Sequence, residues 1–148
     1  MDLLAPGVFG SFEQIAAALP HIDHLLPNED QVLGFSEEDD LVAGAKKLID
    51  AGAGLVAATR GGDGTLLVTA EGTETVPTFE IDVVDTTGCG DAFSAGFLRG
   101  IGLGRTPQEA AVLGNAVAAL VAQGLGSDHG DFDLAAVDAF AAASARRA

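Results

Sequence analysis

The chain has 148 residues, of which 48% are hydrophobic, and its 22 acidic and 7 basic side chains give a net charge of −15. This length and apolar content predict one soluble domain with a buried core over residues 1–148. The strong negative charge argues against binding to a nucleic-acid backbone or an anionic membrane surface. Backbone N–H groups and a divalent cation could still hold a polyanion locally.

The single cysteine, Cys89, cannot form an internal disulfide, and no Cys/His cluster has the spacing of a zinc site. No charged-then-apolar leader opens the chain, and no apolar run approaches the roughly 18 residues of a membrane-spanning helix. We therefore expect a cytoplasmic protein of the α/β class.

The first half of the chain mixes helical and extended patterns. Ser11 followed by Gln14 predicts a short capped helix that stops at Pro20, and Ser36 with Asp39 predicts a second helix reaching about Ala51. Three apolar runs have the length of strands, and the last two are expected to form a hairpin: residues 22–26, 55–59 and 66–69.

The second half is predicted to be mostly helical after two extended pieces at residues 74–79 and 81–84. A helix is expected from Asp91 to about Leu98 or beyond. The segment Thr106-Pro107-Gln108-Glu109 predicts a helix from Pro107 to about Gln123, with Gly124 as its C-cap. Asp133 should cap the last helix, whose basic end at residues 146–147 would suit the helix dipole.

The segment Asp85-Thr86-Thr87-Gly88-Cys89-Gly90-Asp91 lies between an extended piece and a helix, where α/β sheets commonly bind ligands. The amides of residues 88–90 could point at a developing negative charge, and Asp91 in the first helical turn could accept a proton. This arrangement favours phosphoryl transfer. The alternative is a Gly-rich turn in which Asp91 is an ordinary N-cap.

The same segment resembles the second signature of the ribokinase-like (PfkB-family) carbohydrate kinases, Asp-Thr-x-Gly-Ala-Gly-Asp, with Cys89 in place of Ala. The resemblance implies a partial ribokinase-like fold: a mostly parallel sheet flanked by helices, an antiparallel hairpin and three C-terminal helices. It also implies that the amides of Gly88, Cys89 and Gly90 form an anion hole, and that Asp91 deprotonates a sugar hydroxyl. Cys89 is expected to be a small packed residue, since only its amide would act.

Two further segments are similar to motifs of that family. Thr59-Arg60-Gly61-Gly62-Asp63-Gly64 resembles the nucleotide-binding turn, so Thr59, Gly61 and Gly64 would flank the phosphates of ATP. The alternative is a simple hairpin turn at Asp63-Gly64. Asn28-Glu29-Asp30-Gln31 resembles an Asn-Glu-x-Glu motif near Mg²⁺, with Asn28 and Glu29 retained and Gln31 replacing the last Glu. As an isolated tetrapeptide it would be a polar loop.

The resemblance also covers positions near the end of the chain. Asn115, Gly124 and Gly126 fall where the family encloses adenine and, in many members, a monovalent cation such as K⁺. Asp85 would then help to order the cation loop. The alternatives are that Asn115 is a hydrogen-bonded helix residue and that Gly124 is a helix cap.

Only the second half of the family pattern matches this sequence. The first half of the pattern and its lid, with most sugar-binding residues, have no counterpart here. An unpaired sheet edge and exposed apolar surface are therefore expected, and with them a homo-oligomer or association with a missing N-terminal half. The implied function is ATP-dependent phosphorylation of a sugar hydroxyl, the sugar being unspecified. The alternative is a catalytically inactive remnant or interaction module that retains nucleotide binding.

Overall fold

In the computed structural model, which describes residues 11–127 and 129–147, six α-helices and three short strands follow one another along the described chain. These residues group into two compact units. The first contains residues 11–60 and 66–75, and the second contains residues 61–65 and 76–147. The predicted α/β class is confirmed. The expectation of one domain over the whole chain stays a prediction.

The first unit consists of three helices and most of a small antiparallel sheet. The helices are α1 (Phe12–Ala16), α2 (Glu29–Ser36) and α3 (Leu41–Asp50), with a 3₁₀ turn at Leu19–His21. The strands are β1 (Val56–Thr59), β2 (Thr65–Val68) and β3 (Thr73–Val76), in the order β1-β2-β3. The predicted pair of strands around the Gly-rich turn is present.

A parallel neighbour of β1 is formed by the segment around Pro27. Isolated parallel bridges join Leu25 to Val56 and Asn28 to Thr59, and the Thr59 N–H donates to the Pro27 carbonyl at 2.9 Å. The apolar run predicted as a strand is therefore reduced to a bridged segment. Within the described residues, parallel pairing is confined to this segment.

The core of the first unit follows from helical spacing. Val32 and Phe35 lie three residues apart on α2, and Ala45 and Leu48 lie three apart on α3, so each pair faces one side of its helix. All four are buried against the apolar residues of β1, including Val56. Burial of such side chains contributes roughly 1.5–3 kcal/mol for each large one.

The boundaries of α2 and α3 correct two predictions. Residues 28–31 are not a loop, because Asn28 caps α2. The predicted helix start at Ser36 is also wrong: Ser36 ends α2, Glu37 turns the chain with φ 57°, and α3 begins at Leu41. The Asp40 carboxylate caps α3 by accepting from the Ala43 N–H at 2.8 Å.

The second unit carries the three predicted C-terminal helices, which are α4 (Cys89–Gly102), α5 (Pro107–Val121) and α6 (Leu134–Ala143). The predicted capping box of α5 is confirmed, since the Glu109 carboxylate accepts from the Thr106 N–H at 2.8 Å and the Thr106 hydroxyl accepts from the Glu109 N–H. Asp133 caps α6 as predicted.

Three local predictions for the second unit are wrong. Residues 81–84 form no strand, and Val83 and Val84 are each 57% exposed. The C-cap of α5 is Ala122 rather than Gly124. Helix α6 ends at Ala143, so the basic residues 146–147 lie beyond its last turn and do not complement its dipole.

Helices α4 and α5 pack very closely because small residues line their contact. A methyl group placed on Gly96 would lie 2.9 Å from Gly114 Cα, and one placed on Gly100 would lie 2.8 Å from Ala110 Cα. Neither distance leaves room for a side chain.

None of the helices in the described ranges has the length and apolar content needed to cross a membrane.

Candidate functional site

The site of the second unit begins at the turn into α4. Gly88 is the N-cap of this helix and has φ 80°, a left-handed conformation that favours glycine. A methyl group placed on Gly88 would lie 2.7 Å from Ser127 Cα. Backbone conformation and available space therefore both require glycine here.

Asp85 fastens this turn to the loop that follows α5. One carboxylate oxygen accepts from the Thr87 N–H at 2.9 Å and the Thr87 hydroxyl at 2.8 Å, and the other accepts from the Gly126 N–H at 3.0 Å. The hydrogen bond from the Gly126 amide, followed by those from Thr87, lowers the pKa of Asp85. Asp85 and Gly126, both predicted site residues, are thus brought together.

The amides at the start of α4 are not equivalent. The Cys89 N–H already donates to the Thr86 carbonyl at 3.2 Å. For the N–H groups of Gly90 and Asp91, the described residues provide no acceptor, as is normal in the first turn of a helix. Of the amides predicted to face an anion, Cys89 is engaged within the turn while Gly90 is available.

The Cys89 side chain packs against neighbouring residues and does not project freely into solvent. It is partly buried, and its Sγ lies 3.7 Å from the Ala118 carbonyl oxygen. Burial, and secondarily the negative charge of Asp85, raises the pKa of the Cys89 thiol. A protonated thiol is a poor nucleophile, which agrees with the interpretation of Cys89 as a small packed residue.

Asp91 is the third residue of α4, and its side chain is exposed. The alternative that it is an ordinary N-cap is wrong, since Gly88 holds that position and α4 has no side-chain cap. Within the described part of the chain, the Asp91 carboxylate has no hydrogen-bond or ion-pair partner. It is therefore accessible from solvent.

The Gly-rich turn of the second unit is a short 3₁₀ segment, Gly61–Asp63. Gly61 and Gly64 have φ values of 53° and 82°, and a side chain on Gly64 would collide with the Val76 carbonyl. Both glycines are therefore required by the backbone. Thr59, the third predicted residue of this motif, is half-buried at the end of β1 in the first unit.

Asn115 is buried, and both ends of its side-chain amide are hydrogen-bonded within the second unit. Its Oδ1 accepts from the Thr65 hydroxyl at 2.8 Å, and its Nδ2 donates to the carbonyls of Val76 at 3.3 Å and Pro77 at 3.4 Å. Asn115 is only 5% exposed. The structure therefore supports the hydrogen-bonded helix residue over the adenine contact. Gly124 is likewise buried, against the ring of His129.

The remaining predicted residues belong to the first unit. Asn28 Oδ1 accepts from the Gln31 N–H at 2.8 Å, while Gln31 Oε1 accepts from the Asn28 N–H at 2.8 Å. Gln31 thus completes the helix cap where the family pattern has Glu. Glu29 is the first residue of α2. Among the described residues, no group of three or more His, Cys, Asp or Glu side chains could hold a metal ion.

Two residues of this region were missed by sequence reasoning: Thr65 and Arg147. Each acts through a partner distant in sequence, such as Asn115 for Thr65, so no local pattern marks it. Only the string of glycines signals that neighbouring chain segments approach closely.

Comparison with known proteins identifies a family and a relative that are both sugar kinases. Residues 2–132 match the family described as pfkB family carbohydrate kinase. An ATP-dependent 6-phosphofructokinase from Thermoanaerobacterium thermosaccharolyticum is 38% identical over 107 residues, which are 72% of this chain and 33% of that protein.

Two solved structures are similar over most of the chain. A ribokinase from Thermotoga maritima has a TM-score of 0.79 and 30% identity, covering 84% of this chain and 44% of that one. A putative ribokinase II from E. coli, in complex with ATP and Mg²⁺, has a TM-score of 0.79 and 25% identity, covering 86% and 42%. The chain spans less than half the length of each of these relatives.

Proposed function

Because this chain belongs to the pfkB family of carbohydrate kinases, we propose that its second unit carries the nucleotide and phosphoryl-transfer site of an ATP-dependent sugar kinase. The observation that carries the proposal is the start of α4. There an exposed carboxylate, Asp91, accompanies first-turn amides for which residues 11–127 and 129–147 provide no acceptor.

Asp91 is proposed as the catalytic base. Its exposed carboxylate accepts the proton of a sugar hydroxyl as that oxygen attacks the terminal phosphorus of ATP, and the bond from phosphorus to the bridging oxygen of ADP breaks. A positioned base contributes about 10²–10⁴-fold to rate.

The amides of Gly90 and Asp91 are proposed to stabilise the transferring group. They point out of the first turn of a helix, where the aligned peptide dipoles favour negative charge. Gly88, fixed by its φ of 80°, sets the direction in which the helix begins. The Cys89 amide contributes less than the family resemblance implies, because it bonds to Thr86.

The turn at residues 61–64 is proposed to receive the nucleotide. Gly61 exposes backbone without a side chain, so that phosphate oxygens can approach it, whereas Gly64 is buried and its positive φ shapes the turn. Two relatives support ATP as the nucleotide, since one is an ATP-dependent 6-phosphofructokinase and the other is a putative ribokinase II in complex with ATP and Mg²⁺.

Of the residues proposed for Mg²⁺, Glu29 at the start of α2 could provide a carboxylate, whereas Asn28 Oδ1 is occupied by the Gln31 amide. A bound Mg²⁺ keeps several waters and takes only one or two protein carboxylates, and the chemistry that it would supply is neutralisation of negative charge. The Asp85 carboxylate already accepts three hydrogen bonds, so its proposed role toward K⁺ is to order the loop at Gly126.

Two measurements in one preparation of the purified chain test this proposal. Calorimetry measures Mg-ATP binding, and ATP consumption is assayed on a panel of sugars. Binding with sugar-dependent turnover would support the kinase. Binding without turnover would favour the alternative, a module that retains nucleotide affinity, and no binding would refute the nucleotide site.

Asp91→Asn tests the role of the base, with Asp82→Asn as a matched control because Asp82 is also exposed and lies before the same turn. We expect Asp91→Asn to lower turnover by about 10²–10⁴-fold while sparing ATP binding, because the amides remain. Equal loss of binding and turnover, or the same loss in Asp82→Asn, would count against a catalytic base.

A further inference from the structure

A guanidinium group lies against the Gly-rich turn. A methyl group placed on Gly62 would lie 3.2 Å from Arg147 Cζ and still closer to Arg147 Nη1. Both residues are exposed, so the guanidinium covers the outer surface of the turn and remains accessible. A side chain at residue 62 would displace it.

The backbone fixes Arg147 in this place. The Arg147 N–H donates to the Thr78 carbonyl at 2.9 Å, and the Glu80 N–H donates to the Ala145 carbonyl at 2.9 Å. These bonds flank an antiparallel bridge between Phe79 and Arg146. The segment after α6 is therefore anchored beside the turn.

The neighbouring arginine points elsewhere. The Arg146 guanidinium lies over the ring of Phe79, with its Cζ 5.5 Å from the ring centroid, as in a cation–π contact. Phe79 is buried and packs against Phe140 with ring centroids 5.1 Å apart. Two adjacent residues of identical charge thus have different surroundings.

The positive charge of Arg147 suits it to contact phosphate at the turn. The chain has a net charge of −15, and the turn itself contains Asp63, so a polyphosphate would meet repulsion there without a nearby cation. A guanidinium presents several N–H donors in a fork that matches phosphate oxygens.

We propose that Arg147 is a nucleotide-binding residue that contacts the polyphosphate of ATP or ADP at the turn formed by residues 61–64. Gly62 provides the space in which the guanidinium reaches the ligand. This inference rests on the proposed function, because it takes the turn as the nucleotide site.

The test compares Arg147→Gln with Arg146→Gln, which removes the same charge one residue away. Binding of ADP, ATP and adenosine to the purified chain is measured by calorimetry with Mg²⁺ present. We expect Arg147→Gln to weaken ADP and ATP about tenfold, as for the loss of a charge-assisted phosphate contact, and to leave adenosine unchanged. Arg146→Gln should bind all three like the original chain.

Two further variants make the test specific. Gly62→Val, which fills the space of the guanidinium, should weaken ADP similarly, and Arg147→Lys should retain part of the affinity because the charge remains. Thermal unfolding of each variant checks that the fold is intact.

Each other outcome has a definite meaning. If Arg147→Gln binds ADP as tightly as the original chain, the inference is overturned and the proposed function stands. Equal losses for adenosine and ADP, or for Arg146→Gln and Arg147→Gln, would also overturn the phosphate contact. If the original chain binds no nucleotide, both the proposed function and the inference fail.

Discussion

Replacing Asn115 with alanine should destabilise the chain substantially. The change removes one acceptor, used by the Thr65 hydroxyl, and one amide donor shared by the carbonyls of Val76 and Pro77. Thr65 is 0% exposed, so water cannot readily replace the lost partner. Each hydrogen bond contributes about 1 kcal/mol, and an orphaned buried group adds about 1–3 kcal/mol. We expect the free energy of unfolding to fall by about 2–4 kcal/mol.

Equilibrium unfolding in urea measures this loss from the shift of the midpoint at constant slope. Thr65→Val is the matched variant, because it deletes the hydroxyl and keeps the volume. If the two side chains act as a pair, the double variant should lose less than the sum of the single variants, by about 1 kcal/mol.

The opposite result would refute the reasoning. A loss of less than about 0.5 kcal/mol, the range of ordinary surface changes, would mean that the buried hydrogen bonds matter little. If stability were unchanged while nucleotide binding weakened, Asn115 would be a ligand contact, as the family resemblance implies.

Gly88→Ala should lower the free energy of unfolding by about 1–3 kcal/mol, because its φ of 80° and its contact with Ser127 both exclude a side chain. Thermal unfolding checks this, and Gly90→Ala is the control, since a methyl group there meets nothing within 4 Å; equal losses would contradict the argument. The lowered pKa of Asp85 means that its hydrogen bonds are fully formed above the ordinary carboxyl pKa of roughly 4 and are lost as pH falls through the lowered value. The NMR shift of the Gly126 amide should report this acid transition, and a transition that persists in Asp85→Asn would assign it to another group.

Elements specified by neighbouring residues were predicted well. The capping box at Thr106 and Glu109 and the cap at Asp133 act within one helical turn, so their signal lies in a few consecutive letters. Helix α2 was missed although Asn28 and Gln31 have the same reciprocal spacing, because the tetrapeptide was interpreted as a ligand motif or a loop.

Features that depend on distant partners could not be predicted. Asn115 stands 50 residues from Thr65 and 39 from Val76, so its Ala-rich helix gives no indication of what it bonds. The same holds for Arg147 and Gly62. Conversely, residues 81–84 have an extended, apolar pattern, yet in the described chain they do not join a strand ladder.

The tight seam between α4 and α5 has a mechanical consequence. With Gly96 against Gly114 and Gly100 against Ala110, α4 can neither slide along α5 nor rotate without collision. The end of α4 that carries Asp91 is therefore held in a fixed position. Within this unit, conformational adjustment to a bound ligand is expected in the loops. Larger side chains along the seam would shift the carboxylate without touching it.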